Sequence, residues 1–366
     1  MTPNDMDAFP EELSPQQVEE WLRKNPGSVA LDVREEFELA DGILPGALHL
    51  PLSRVPEVTE SMSHPDQPLI VYCQHGIRSL QATRYLRQQG WGRATSMSGG
   101  FVEWISNGHP IQIPETASEL DDEQRERYAS QLVLPEFGMT GQQRLLKSRV
   151  MIVGVGGLGC PAAMYLASGG VGTLRLVDDD VVSRSNLPRQ IIYKSRDVGE
   201  LKVPLAASQL RAMNPGVTVE EHVLRLDTSN VMDLIEDVDV IVDASDNFPT
   251  RFLVSDAARN RGIPVVHGSV HRFEGMVTVF DPQKGGPCLR CLHPTVPDPD
   301  LCQGCAETGV LGVLPGMVGM YQSTEVLKIL AQMGDPLLGR LLTIDAIGGT
   351  SREYRLNKAQ GCVCNH

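Results

Sequence analysis

The hydrophobic pattern of this chain falls into two series of short apolar runs separated by longer stretches with helical spacing. In the second series, Val150 to Val153, Thr173 to Val177, Val217 to Val223, Val238 to Ala244 and Pro264 to Gly268 are of strand length and end in Gly, Asp or Asn-rich turns. Such runs predict buried strands of a parallel sheet. Between them lie helix-patterned segments: CPAAMYLASGG after Gly159, then Val203 to Met213 and Thr250 to Asn260. Glu274 to Asp281 and Leu341 to Ala346 predict further strands, and Met317 to Met333 an apolar helix at 3.6-residue spacing. Alternating strands and helices imply a mostly parallel sheet covered on both faces.

The first series is shorter. Ser14-Pro15 has the form of a helix cap followed by proline, with Val18 and Trp21-Leu22 on the apolar side. Val29 to Val33 and Pro68 to Tyr72 predict strands, and Leu80 to Gln88 a helix. Residues 114–121 carry Pro and small polar residues without an apolar period and read as a linker. The expected division is therefore a small α/β domain over 10–113 and a larger α/β domain over 122–366, beginning with a charged helix at Asp121 to Arg127.

At 366 residues and 41% hydrophobic, the chain can bury two cores. Its net charge of −14 disfavours a nucleic-acid surface, which needs a basic stripe. Met1 to Glu12 carries acids and no apolar core, so no export signal is expected. No apolar run is long enough for a membrane span. Eight cysteines, some at CxxC spacing, then point to metal binding or catalysis in a reducing cytoplasm rather than to disulfides.

The chemistry centres on Val150 to Asp180. Gly154, Gly156, Gly157 and Gly159 follow a strand and open a helix, a turn that lets backbone amides approach a phosphate. Asp178 ends the next strand, where a carboxylate can accept hydrogen bonds from a ribose. This much suits any dinucleotide-binding fold, including an NAD-dependent oxidoreductase. Arg189 in SNLPRQ, Lys202 at the start of a helix and Asp246 in DASDN then add two cations and a carboxylate at the ends of βα elements. They suit a triphosphate and its magnesium, and hydride transfer has no need of them.

With GxGGLGCPAA, SNLPRQ, DASDN, PCLRC and CAETGVLGVLPG together, the chain from about Asp122 onward resembles the MoeB/ThiF family, bacterial relatives of ubiquitin-activating enzymes. The resemblance implies a Rossmann-like fold and ATP-dependent adenylation of the C-terminal glycine of a small ubiquitin-like sulfur carrier ending in Gly-Gly, by a homodimer. It adds Asp180, Asn186, Gln190 and Asn247 to the nucleotide site. It also implies that Cys305 can form an acyl disulfide or persulfide with the carrier. One departure stands out: the family's RYxRQ reads Arg127-Tyr128-Ala129-Ser130-Gln131 here, with Ser130 at the position of an arginine that reaches the partner's ATP site. A degenerate module that binds a carrier without adenylating it is therefore an alternative.

Cys73 follows an apolar strand and precedes a helix in CQHGIRS, where loop amides, the helix dipole and Arg78 favour thiolate. Four residues separate Cys73 from Arg78, one fewer than a cysteine phosphatase uses to wrap a phosphate. DVR at Asp32, PGA at Pro45, CQHGIRS and GGFVEW resemble the rhodanese family. The resemblance implies a persulfide on Cys73, charged from thiosulfate or from the persulfide of a cysteine desulfurase. Asp32 and Arg34 read as structural partners, and His75 as a solvent-facing loop residue.

Cys288 and Cys291, with Cys362 and Cys364 near the C-terminus, offer four sulfurs from two distant loops, a set suited to structural zinc. The family has CxxC in both places; here the second pair is CxC, which leaves His366 open as a substitute for Cys362. The pathway served, whether molybdopterin, thiamine, cysteine or tRNA thiolation, is not encoded in these motifs.

Overall fold

A computed structural model describes residues 9–57, 67–113, 120–134, 136–281, 283–295 and 309–365. The chain forms two compact units, residues 1–139 and 140–366. Both are α/β.

The first unit is built on five parallel strands: β1 (Glu12–Leu13), β2 (Val29–Asp32), β3 (Leu48–His49), β4 (Leu69–Tyr72) and β5 (Ala94–Met97), in the order β1-β5-β4-β2-β3. The strand β4 sits in the centre and is buried on both faces. Leu69 and Val71 face one cluster with Leu31, Ala82 and Leu86; Ile70 and Tyr72 face another with Val18, Phe101 and Trp104. Helix Pro15–Lys24 starts as the sequence predicts: Ser14 and Gln17 form a reciprocal capping box and Pro15 occupies the first turn. Helix Ile77–Gln88 begins three residues earlier than its apolar pattern indicates, because Gly76 supplies the left-handed cap and Arg78 and Ser79 fall in the first turn. Helix Asp122–Leu132 is also longer than expected and buries Tyr128 and Leu132.

The second unit holds eight strands: β6 (Arg149–Val153), β7 (Thr173–Val177), β8 (Thr218–His222), β9 (Val240–Asp243), β10 (Val265–His271), β11 (Glu274–Phe280), β12 (Arg340–Asp345) and β13 (Thr350–Arg355). Their order is β13-β12-β11-β10-β9-β6-β7-β8. Strands β10, β9, β6, β7 and β8 run parallel, and β11, β12 and β13 extend the sheet antiparallel. From β6 the chain winds outward through β7 and β8, then returns to place β9 on the other side of β6. That reversal opens a crevice at the carboxyl ends of β6 and β9, the position where such sheets bind ligands. Helix Leu314–Ala331 packs against helix Gly159–Gly169 and across β10 and β11. Among the described residues, no helix is long and apolar enough to cross a membrane.

Candidate active sites

In the first unit, β4 ends at Tyr72 and delivers Cys73, whose side chain is 1% exposed. The amide of Gly76 donates to Cys73 Sγ at 3.1 Å, and Ser79 Oγ lies 3.5 Å from the same sulfur. Ser79 in turn bonds Gly76 O and Ser96 Oγ, fixing the base of the loop. The loop carbonyls of Cys73 and Gln74 accept from Phe101 and Val102, so the start of helix Gly100–Ser106 holds them away from the sulfur. A β-carbon at Gly100 would lie 2.4 Å from Cys73 O, which is the reason for glycine there. Arg34 and Asp32 form a fully buried pair at 2.7 Å, with the guanidinium over Phe101 and a bond to Gln74 Oε1. Both are fully buried, and His75 is exposed.

Arg78 lies in the first turn of helix Ile77–Gln88. Its guanidinium grips Glu38 through both nitrogens, at 2.7 and 2.6 Å, and is not bonded to Cys73. Burial opposes ionisation of Glu38, yet Arg78 and the Glu35 amide outweigh it and hold the carboxyl below its ordinary range. Glu38 lies 40 positions from Arg78, and no spacing rule connects them.

In the second unit, a cavity of about 370 Å³ lies at the carboxyl ends of β6, β7 and β9. Its wall brings together Gly154, Gly156, Gly157, Asp178, Asp180, Arg189, Gln190, Lys202, Asp246 and Asn247. Lys202 opens helix Lys202–Met213, and its buried ammonium lies 2.7 Å from Asp180 and 3.9 Å from Asp178. Asp178 accepts from the amides of Val155 and Asp180. Burial raises its pKa, against the pull of Lys202 and these amides. Arg189 is half-buried with one bond to Ser185 O, and Asp246 is exposed at the rim. Gln190 is 4% exposed, and its Oε1 has no partner within the structure. An orphaned acceptor in a cavity wall is an indication that the cavity takes a polar ligand.

Two predicted residues stand outside this wall. Gly159 lies beneath it: a β-carbon there would come within 1.9 Å of Gly154 O, so this glycine seats the helix on the strand. Asn186 accepts from the Ser183 amide and stabilises the turn that presents Arg189 and Gln190. Asn247, which does line the cavity, also caps helix Phe248–Arg261 through the Thr250 amide. Leu224, Arg225 and Leu226 complete the wall from the segment after β8, which carries no motif. Ser130, on helix Asp122–Leu132, is exposed; Arg125 and Arg127 pair with Asp122 and Glu123 on the same helix.

The four cysteines 288, 291, 362 and 364 converge, with all sulfurs within 4.8 Å of one another. Cys288 and Cys362 stand 3.5 Å apart, Cys291 and Cys364 3.4 Å. In a tetrahedral thiolate site with bonds of about 2.3 Å the sulfurs stand roughly 3.8 Å apart, so the cluster has zinc dimensions. Burial opposes ionisation of Cys362, but the Cys364 amide and neighbouring thiols bring it down to about 7. Burial and crowding push Cys288 and Cys364 up. Cys305 and His366 lie outside the described residues.

Residues 128–365 match the ThiF family and residues 14–107 the rhodanese-like domain. The chain belongs to the ThiF family and carries a rhodanese-like domain ahead of it. It is 52% identical over 240 residues to the SAMP-activating enzyme E1 of Haloferax volcanii, an alignment spanning 65% of this chain and 88% of that protein. It is 44% identical to the probable adenylyltransferase/sulfurtransferase MoeZ of Mycobacterium tuberculosis, over 67% of this chain but only 64% of MoeZ. The crystal structure of PaaA has a similar fold, with a TM-score of 0.54 and 27% identity, covering 66% of this chain and 76% of PaaA.

Proposed function

We propose that this chain is an adenylyltransferase and sulfurtransferase: it activates the C-terminal glycine of a ubiquitin-like sulfur carrier with ATP and supplies the sulfur that converts it to a thiocarboxylate. The observation that carries this reading is the second-unit cavity, in which a glycine turn, the buried Lys202, Arg189, the unpartnered Gln190 carbonyl and Asp178 converge. The relatives' names support the same chemistry. An NAD-dependent oxidoreductase leaves Lys202 and Arg189 without a task.

ATP lies with its phosphates against the glycine turn and the two cations, and its ribose at Asp178. The carrier's carboxylate attacks the α-phosphorus and pyrophosphate leaves. Lys202 and Arg189 neutralise the charge that builds on the phosphates, so positioning and electrostatics supply most of the acceleration. Asp246 is the residue assigned to hold magnesium, which would shield the phosphates when bound. The terminal sulfur of a Cys73 persulfide then attacks the acyl carbon, and AMP leaves. A thiolate, for which we take Cys305, then attacks the Cys73 sulfur of this acyl disulfide; the S–S bond breaks, the carrier thiocarboxylate leaves, and the Cys73–Cys305 disulfide that forms is reduced by an external thiol.

Cys288, Cys291, Cys362 and Cys364 would hold a structural zinc, tying the C-terminal tail to the loop after β11. A homodimer working in the cytoplasm completes the reading, with thiosulfate or a cysteine desulfurase persulfide as sulfur source. ATP–pyrophosphate exchange that depends on a carrier ending in Gly-Gly tests the assignment; NAD(H) turnover without exchange overturns it.

A further inference from the structure

Two guanidiniums lie near the Cys73 loop, and each is matched by a carboxylate. Arg34 is buried against Asp32. Arg78, close enough to Cys73 for its charge to act on the sulfur, is held by both oxygens of Glu38. Glu38 is itself locked in place: its Oε2 also accepts from the Glu35 amide, closing the turn Glu36–Asp41. A second carboxylate, Glu35, lies beside it, and burial and the charge of Glu38 raise its pKa. Among the described residues, Cys73 Sγ therefore has the Gly76 amide beside it but no uncompensated guanidinium, and Glu38 and Glu35 lie by Arg78.

This arrangement suits one kind of sulfur donor better than another. Thiosulfate is a dianion, and its attack by the Cys73 thiolate releases a second dianion, sulfite. A free cation at the loop would stabilise both; a cation already neutralised does not. A thiol persulfide carries less charge. The Cys73 thiolate attacks its terminal sulfur, the donor S–S bond breaks, the donor leaves as a thiolate, and no oxidant is needed.

We propose that Glu38 is a specificity residue that turns Cys73 away from thiosulfate and toward thiol persulfides. The inference rests on Cys73 being the sulfur carrier of the proposed function. Its test is Glu38→Gln, which keeps an oxygen to accept from Glu35 and removes the charge that neutralises Arg78. With cyanide as acceptor, kcat/KM is compared for thiosulfate, cysteine persulfide and a persulfidated protein, the last two arms assigning the persulfide source. The expected result is a rise of about tenfold or more for thiosulfate, with persulfide transfer changed less than about threefold. An unchanged ratio, or a loss with thiosulfate, overturns the proposal. Sulfite inhibition of the wild type is a second test independent of folding of the variant. An inhibition constant no lower than about 1 mM is expected, and a micromolar one contradicts the proposal. Cys73→Ala should abolish transfer from every donor; if it does not, the reading of Cys73 as sulfur carrier fails, separately from the role of Glu38.

Discussion

The ammonium of Lys202 lies 2.7 Å from Asp180 and 3.9 Å from Asp178, with only 5% of its side chain exposed. It is a buried charge held by two acids in the wall of a cavity. Lys202→Met should lower kcat/KM for carrier-dependent ATP–pyrophosphate exchange by about 10²- to 10³-fold, the size of losing one well-placed electrostatic contact. The same change removes the cation that opposes burial of Asp178, so the Asp178 pKa rises further. A carboxyl raised in the folded state contributes stability below its ordinary pKa and loses it as pH rises through the folded value. Chemical denaturation should therefore show the variant weakened more at neutral pH than in the ordinary carboxylate range.

The floor of the cavity rests on another buried pair. His267 Nδ1 lies 2.7 Å from Asp243 Oδ2, and Asp243 Oδ1 accepts from Ser245, a cavity residue. Burial opposes ionisation of Asp243, but the bond to His267 and its charge outweigh this and lower its pKa. His267→Leu leaves that carboxylate without its main partner, and urea unfolding at neutral pH should show a loss of about 3 kcal/mol. A lowered carboxyl contributes stability above its ordinary pKa and loses it as pH falls through the lowered value. The gap between wild type and variant should therefore narrow as pH falls below the ordinary carboxylate range.

Protein purified without chelator should carry one zinc per chain. Cys362→Ser, which removes a sulfur 3.5 Å from Cys288, should lose it. Structural zinc contributes on the order of 10 kcal/mol to small sites, so the tail from residue 356 onward should become sensitive to limited proteolysis in the variant. Elemental analysis checks the first outcome, and mass mapping of the digest the second. Metal-free wild type with a protected tail would contradict the assignment.

What the sequence displayed, and what it hid, follows from local chemistry. Strands β6, β7, β9 and β10 were legible because each is a short apolar run ending in Gly, Asp or a turn. Strand β5, ATSM, is buried but carries two hydroxyl side chains, so no apolar run marks it. Strand β13 is exposed along its whole length and shows no inward face. The cavity's cations and carboxylates were legible because βα turns place them at one sheet edge. The pairing of Glu38 with Arg78 was not, since it depends on a 3₁₀ turn brought to the loop by tertiary packing. Gly159 and Asn186 sit in the motif for structural reasons, which a motif alone does not separate from ligand contact.

In the proposed function one chain activates a carrier carboxylate in its second unit and delivers sulfur from Cys73 in its first. The most direct test is the mass of a Gly-Gly-ending carrier after incubation with ATP, magnesium and a persulfide donor, run beside pyrophosphate exchange on wild type and Cys73→Ala. The wild type should form thiocarboxylate; Cys73→Ala should show exchange near the wild-type rate and no thiocarboxylate until sulfide is added. Thiocarboxylate formed by the variant at the normal rate from the persulfide donor would contradict the proposed function.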